Sequence, residues 1–347
     1  MVVLLACLLS TPAFAACSVK PTGTADIGPY SPGAVQQTVI PYFEASSGFG
    51  CSAAILSLLS SDYMTATVSS AQGFKLTSTT DATKTVSYAL AADAAGTRPI
   101  TGGSAFVYRS ATVNLLGLIS NPSDVKIYIR PSSAAIVAPG TYKGSFKIDW
   151  AWRFCSGLGI GTLCALGAVD TNVGPPAVNA TSTISVTLVV QDKPVGMVIS
   201  TQTVWDPQSN TLNPRATPGS RQRTTITVSN LDIATIDANS LKIVLPTPAK
   251  GMVALDGDKT ASNAVVTTTD GSPTSNLALT YTASNSGTDD VEFSENAGFA
   301  LGTEPWSYQP MPGNAAAQAA VTAVRFRPRG TMAAGSSFSV SLPYAVN

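Results

Sequence analysis

Along much of the chain single apolar and polar residues alternate, and turn-forming residues break the alternation into short stretches. Thr141–Trp152 is the clearest stretch: Tyr142, Phe146, Ile148, Trp150 and Trp152 share one face, and Thr141, Lys143, Ser145, Lys147 and Asp149 share the other. A period of two puts one face in a core and leaves the other in water. Thr183–Val189 repeats the habit with Ile184, Val186 and Leu188, and Thr85–Ala91 does so with Val86, Tyr88 and Leu90. The same pattern predicts strands at Val35–Phe43, Thr65–Ser69, Val125–Arg130 and Asn179–Val190. It resets at Gln191-Asp192-Lys193-Pro194, and strands are then predicted at Arg223–Val228, Leu241–Leu245, Leu277–Tyr281, Ala320–Arg327 and Ser336–Leu342. Ala-rich Asn314–Ala323 fits either one or two helical turns or the entry to a strand. Many short strands separated by Gly, Pro and Ser turns predict an all-β chain of two Ig-like β-sandwich domains in tandem, residues 17–190 and 195–347.

Three apolar segments break the alternation. Ile55, Leu56, Leu58 and Leu59 are clustered, as are Leu115, Leu116, Leu118 and Ile119. Adjacent leucines in a strand point to opposite faces, so one of each pair needs a second cover. Either these are core strands or a short core helix, or they are exposed tips. The third segment holds Leu158, Ile160, Leu163 and Leu166 among glycines 157, 159, 161 and 167, with Cys155 and Cys164 close by. Such a glycine content suits a surface loop better than a strand or helix. Apolar tips are costly in solubility, so exposed ones point to binding.

The N-terminus fixes the expected compartment. Val2–Leu9 is apolar, Pro12 breaks the run, and Ala13-Phe14-Ala15 follows. These are the parts of a secretory signal over residues 1–16, with cleavage after Ala15 or Ala16, although no Lys or Arg precedes the apolar run. Phe14-Ala15-Ala16-Cys17 also has a weak lipobox character, which would make Cys17 a lipid anchor. Of five cysteines, Cys7 leaves with the signal. The four that remain, in an exported chain, read as two disulfides with three possible pairings. The short Gly-rich interval between Cys155 and Cys164 favours a local loop, leaving Cys17 for Cys51. A zinc site fits these wide spacings poorly.

Composition narrows the function. The 347 residues carry 20 Lys+Arg against 20 Asp+Glu, and 12% are charged. With no basic surplus there is no electrostatic footprint for nucleic acid. The absence of histidine removes His-based triads and most zinc chemistry. No Ser stands in a nucleophile-elbow context, so no enzyme activity and no cofactor are expected. Asp256 and Asp258 with Asp270 lack a full calcium-loop spacing and read as turns. Asp289, Asp290, Glu292 and Glu295 read as a solvated edge.

Pro139-Gly140-Thr141-Tyr142, leading into a strand that ends Ile148-Asp149-Trp150, resembles the spore coat protein U family, which includes subunits of archaic chaperone–usher pili. Ser52–Leu59 after Cys51, Thr112–Ile119 and Phe154–Gly167 resemble more specifically the N-terminal domain of the tip adhesins of those pili. That resemblance covers about residues 17–190. It implies an Ig-like sandwich whose three segments project at one end as hydrophobic fingers on abiotic surfaces. Asp206-Pro207, Pro218-Gly219-Ser220 and Thr225–Asn230 resemble instead the opening of an Ig-like repeat found in bacterial surface proteins, where an archaic adhesin ends in a pilin domain. The resemblances imply an exported adhesin that meets apolar or host surfaces, with a periplasmic chaperone, usher and pilus subunits as candidate partners. The competing reading is a coat or surface protein whose sandwiches are assembly modules.

Overall fold

The computed structural model describes residues 17–51, 55–56, 62–110, 119–120, 124–155, 158–166, 168–173, 180–296 and 305–347. The expected signal segment lies outside them. Of the described residues 48% are strand and 3% helix, and the chain divides into two compact units, one ending at Asp192 and one spanning Lys193–Asn347.

The first unit opens with β1 (Cys17–Val19), β2 (Thr22–Tyr30), α1 (Pro32–Gln36), β3 (Phe43–Ser46), β4 (Phe49–Cys51) and β5 (Ile55–Leu56). It continues through β6 (Tyr63–Ser69), β7 (Lys75–Ser78), β8 (Thr85–Ala91), β9 (Pro99–Ile100), β10 (Ala105–Arg109) and β11 (Ile119–Ser120). It closes with β12 (Lys126–Ser132), β13 (Gly140–Cys155), β14 (Leu158–Ile160), β15 (Leu163–Leu166), β16 (Val169–Thr171) and β17 (Thr181–Val190). The principal sheet follows the order β10-β6-β13-β7-β8-β12-β3, and β17 joins it through β13.

The 16-residue β13 organises this unit. Its first ten residues pair antiparallel with the whole of β17, from Gly140 opposite Val190 to Asp149 opposite Thr181. Lys147–Arg153 pair on its other edge with β6. Tyr142, Phe146, Ile148, Trp150 and Trp152 are all buried, as period-two alternation demands. Phe49 fills the core beside them, its ring 5.0 Å from that of Trp150 and 5.2 Å from that of Trp152. β17 also pairs in parallel with β2, bringing the start of the chain onto the strand that ends the unit.

The second unit contains β18 (Gly196–Trp205), β19 (Arg221–Ser229), β20 (Ile243–Pro246), β21 (Gly251–Val253), β22 (Thr267–Asp270), β23 (Val291–Ser294), α2 (Ala315–Ala319), β24 (Ala323–Phe326) and β25 (Ser337–Val346). One sheet runs β18-β19-β25-β21, with β22 also on β25; the other runs β20-β24-β23. Their core joins Ile226, Val228, Phe338, Val340, Leu342 and Tyr344 to Val291, Phe293, Val324 and Phe326. β18 is a sheet edge, and Met197, Val198 and Ile199 are exposed in succession, so both of its faces are open.

Three local expectations change. Val35–Phe43 is not a strand: Ser31 caps α1 by accepting the Ala34 N–H at 2.9 Å, and Pro32 presets its first turn. The apolar residues Val35 and Ile40 are buried without pairing. Leu277–Tyr281 forms a single bridge, Ala278 to Arg329, because the Asp290 carboxylate takes the Thr280 N–H at 2.9 Å and Asp289 takes that of Thr282. The acidic cluster is a solvated edge only at exposed Glu295, while half-buried Glu292 pairs with Arg325 and Arg327. Asp289 and Asp290 are buried, and their oxygens accept backbone N–H groups that a strand partner would otherwise take. In the Ala-rich stretch Ala315–Ala319 form α2, with the Asn314 side chain accepting the Ala317 N–H, and Ala323 opens β24.

Candidate functional site

The three apolar segments leave the first sandwich from one end. β10, β6 and β13 are consecutive in the sheet and antiparallel. Arg109 at the end of β10 stands opposite Met64 at the start of β6, and Met64 stands opposite Trp152 near the end of β13. The segment before β6, the segment after β10 and the segment after β13 therefore share a single edge of three neighbouring strands.

Each root is fastened. The first segment follows Cys51, which is disulfide-bonded to Cys17 and paired with it across β1 and β4. That bond uses the Cys17 sulfur, so the thioether of a lipid anchor has no atom to form on. The first segment re-enters β6 through buried Asp62, whose Oδ1 accepts the Cys155 N–H at 3.1 Å. The second segment begins after buried Arg109 and ends at Asp124, which accepts from Ser46 and pairs with Lys126 at 2.8 Å. The third begins at Cys155, bonded to Cys164, and returns beside β13 through β16, with Asp170 opposite Phe154. Beneath them, Phe154 lies against Phe49 at 6.5 Å and takes the Arg109 guanidinium over its ring at 5.9 Å. Burial lowers the Arg109 guanidinium from its ordinary value, and the Asp62 charge acts against that shift.

Within the segments, Ile55 and Leu56 form β5, which pairs antiparallel with β11: Leu56 stands opposite Ile119 and Ile55 opposite Ser120. The first two segments thus share a ladder. Leu58, Leu59, Leu115, Leu116 and Leu118 lie outside the described residues. Leu158 and Ile160 form β14, which makes a hairpin with β15, Ile160 opposite Leu163 and Leu158 opposite Leu166. Gly161 turns it at φ +58°, and Arg153 donates to the Thr162 carbonyl at 2.6 Å, drawing the hairpin tip back toward β13. Leu163 is 73% exposed, and Val169 and Val173 on the returning arm are exposed as well. The site residues the apolar pattern missed are Asp62, Arg109 and Asp170. Their available signal was position: each is a lone charge bordering an apolar segment.

Elsewhere, Asp256 and Asp258 do not form a cation site: Asp256 pairs with Arg221 and Lys259, and Asp258 with Arg223 at 2.7 Å. Asp270 accepts from Ser275. No cluster of metal-ligating side chains occurs among the described residues.

The family comparison falls on the unit that carries these segments. Residues 5–149 match the Spore Coat Protein U domain. This domain class is structural and non-enzymatic. No curated protein matches the chain. Among solved structures, the chain is similar to the CsuC-CsuE chaperone–tip adhesion subunit pre-assembly complex from archaic chaperone-usher Csu pili of Acinetobacter baumannii. Identity is 16%, coverage 94% of this chain and 99% of that one, and the TM-score 0.42. It is also similar to CfaE, the adhesive subunit of CFA/I fimbria of enterotoxigenic Escherichia coli, at 11% identity, 94% and 88% coverage and TM-score 0.27. The CooA pilin subunit of enterotoxigenic Escherichia coli matches at 11% identity over 52% of this chain and 99% of that one, with TM-score 0.26.

Proposed function

We propose that the chain is an exported bacterial surface protein of the pilus-subunit kind, an adhesin whose first domain holds apolar or host surfaces through the three segments at one end. The carrying observation is the convergence of those segments on the shared edge of β10, β6 and β13, with Leu163 73% exposed beyond it. A sandwich holds loop ends at fixed separations, which suits repeated weak apolar contacts to a flat surface. The Spore Coat Protein U domain and the tip-adhesin resemblance support passage through the periplasm, display at the cell surface, and a chaperone, usher and pilus subunits as partners. Residues 17–190 serve as the gripping domain and 195–347 as a second Ig-like sandwich. The test is adsorption of the mature full-length protein to polystyrene and to plasma-oxidised polystyrene. Strong retention on the apolar plastic alone supports the reading, and equal retention on both removes it.

One observation favours the second reading, a coat protein whose sandwiches are assembly modules. β18 is a ten-residue edge strand without a charged residue or proline, and edges of this kind pair with other chains unless protected. Concentration-dependent self-association of the full chain, abolished by Val198→Lys on β18, is the result that would support it.

A further inference from the structure

We infer that buried Asp62 and Arg109 are the positioning residues of the apolar end, together setting how the roots of the three segments stand relative to one another. This rests on the reading of that end as the binding surface. Among the described residues of the first unit, Asp62 and Arg109 are the only buried charged side chains, 2% and 4% exposed. Both sit at segment roots. Asp62 is the residue through which the first segment re-enters β6, and its Oδ1 holds the N–H of Cys155 at the root of the third. Arg109 is the last residue of β10, at the root of the second, and its guanidinium lies over Phe154, the neighbour of Cys155. Asp62 is the charge that acts on Arg109. Two charges of opposite sign, contributed by the first and second roots, thus each hold one of the last two residues of β13.

Stability alone accounts poorly for such a pair. Taking two charges out of water costs more than a weakly bonded pair returns, and well-packed apolar residues serve a core as well or better. Here Asp62 Oδ2 and Arg109 Nη1 have no hydrogen-bond partner, so neither charge is saturated. What two buried opposite charges do supply is a fixed geometry, since each is tolerable only where its partners on β13 and the opposing charge nearby offset it.

The test uses the full chain with four variants: Asp62→Asn, Arg109→Met, the double variant, and Arg109→Lys, which keeps the charge. Adsorption to polystyrene is measured with the thermal midpoint and with amide hydrogen exchange. Each neutralising single variant is expected to lose at least tenfold in adsorption. Exchange should quicken at β5, β11, β14 and β15 and stay unchanged at β8 and β17. The uncharged double variant is expected to regain the parent midpoint without regaining adsorption, and Arg109→Lys to retain most of both. Recovery of adsorption and of the exchange pattern by the double variant overturns the positioning role, as does parental behaviour of both singles. If the parent itself does not adsorb, the apolar-surface reading fails, and the exchange at β5, β11, β14 and β15 alone decides the positioning role.

Discussion

Asp170 accepts the backbone N–H of Cys17 at 2.6 Å, across 153 positions of sequence. Its other oxygen accepts the indole N–H of Trp152 at 2.9 Å. One carboxylate thus ties the first described strand to the core strand β13, at the point where the third apolar segment returns. Asp170→Ala would leave two donors without a partner, one on a Trp that is 1% exposed. The expected cost is about 2–4 kcal/mol, seen as a lower melting midpoint of the first unit by tryptophan fluorescence. Asp170→Asn keeps an acceptor and should cost less. Equal losses from the two variants would mean that the negative charge, not the acceptor, matters.

The Cys155–Cys164 bond closes a short interval of nine residues. The chain-entropy account assigns a loop of that size roughly 2–3 kcal/mol. Non-reducing peptide mapping should recover Cys17 with Cys51 and Cys155 with Cys164. Replacing both Cys155 and Cys164 by Ser should loosen the β14–β15 hairpin and lower adsorption, with the β13–β17 ladder still protected from exchange. A peptide joining Cys17 to Cys155 or Cys164 would sink the pairing.

Acid should weaken the second unit. Burial acts to raise the Asp258 carboxyl, but hydrogen bonds from Thr260 and Arg223 outweigh it and hold the group below its ordinary 3.8. Asp289 is lowered in the same way, burial opposed by the N–H groups of Thr282 and Ala283. A carboxyl lowered in the folded state contributes stability that is present above its unfolded value and disappears as pH falls through the folded one. Stability should therefore hold from neutrality to about pH 4 and decline below it. Asp258→Asn breaks a pair with Arg223, a loss of about 3 kcal/mol at pH 7. The difference between variant and parent should shrink toward pH 2. A pH-independent difference would place the effect in packing rather than charge.

Alternation identified the strands that carry a full hydrophobic face. β13 and β17 are clear in sequence because Phe146, Trp150, Ile184 and Leu188 each fall on the buried side. β18 escaped notice because Met197, Val198 and Ile199 run consecutively and none is covered, so no face exists to read. Leu277–Tyr281 alternates yet forms only a single bridge, since side-chain oxygens of Ser275 and Asp290 take the Leu277 and Thr280 N–H groups. At the candidate site the leucine clusters stand out in sequence as departures from the period. The charges that fasten their roots do not, because Asp62 and Arg109 reach the end of β13 only when β10, β6 and β13 become neighbours.

The adhesin reading turns on leucines that bind without supporting the fold. Leu163 is 73% exposed at the hairpin, so Leu163→Ser should change stability by no more than about 0.5 kcal/mol. Covering such a side chain with a foreign apolar surface is worth roughly 1.5–3 kcal/mol, so losing it should weaken adsorption to polystyrene by about tenfold or more. Leu58→Ser and Leu116→Ser, in the segments bordered by Asp62 and Arg109, should act in the same direction, and the triple variant should no longer adsorb. Core leucines behave oppositely: truncating each costs roughly 2–5 kcal/mol. Thermal melts of the three single variants therefore separate the cases before any adhesion is measured. Midpoints within a degree or two of the parent place all three side chains outside the core. A steep fall for Leu58→Ser or Leu116→Ser would return that segment to the core and leave the hairpin alone to grip a surface.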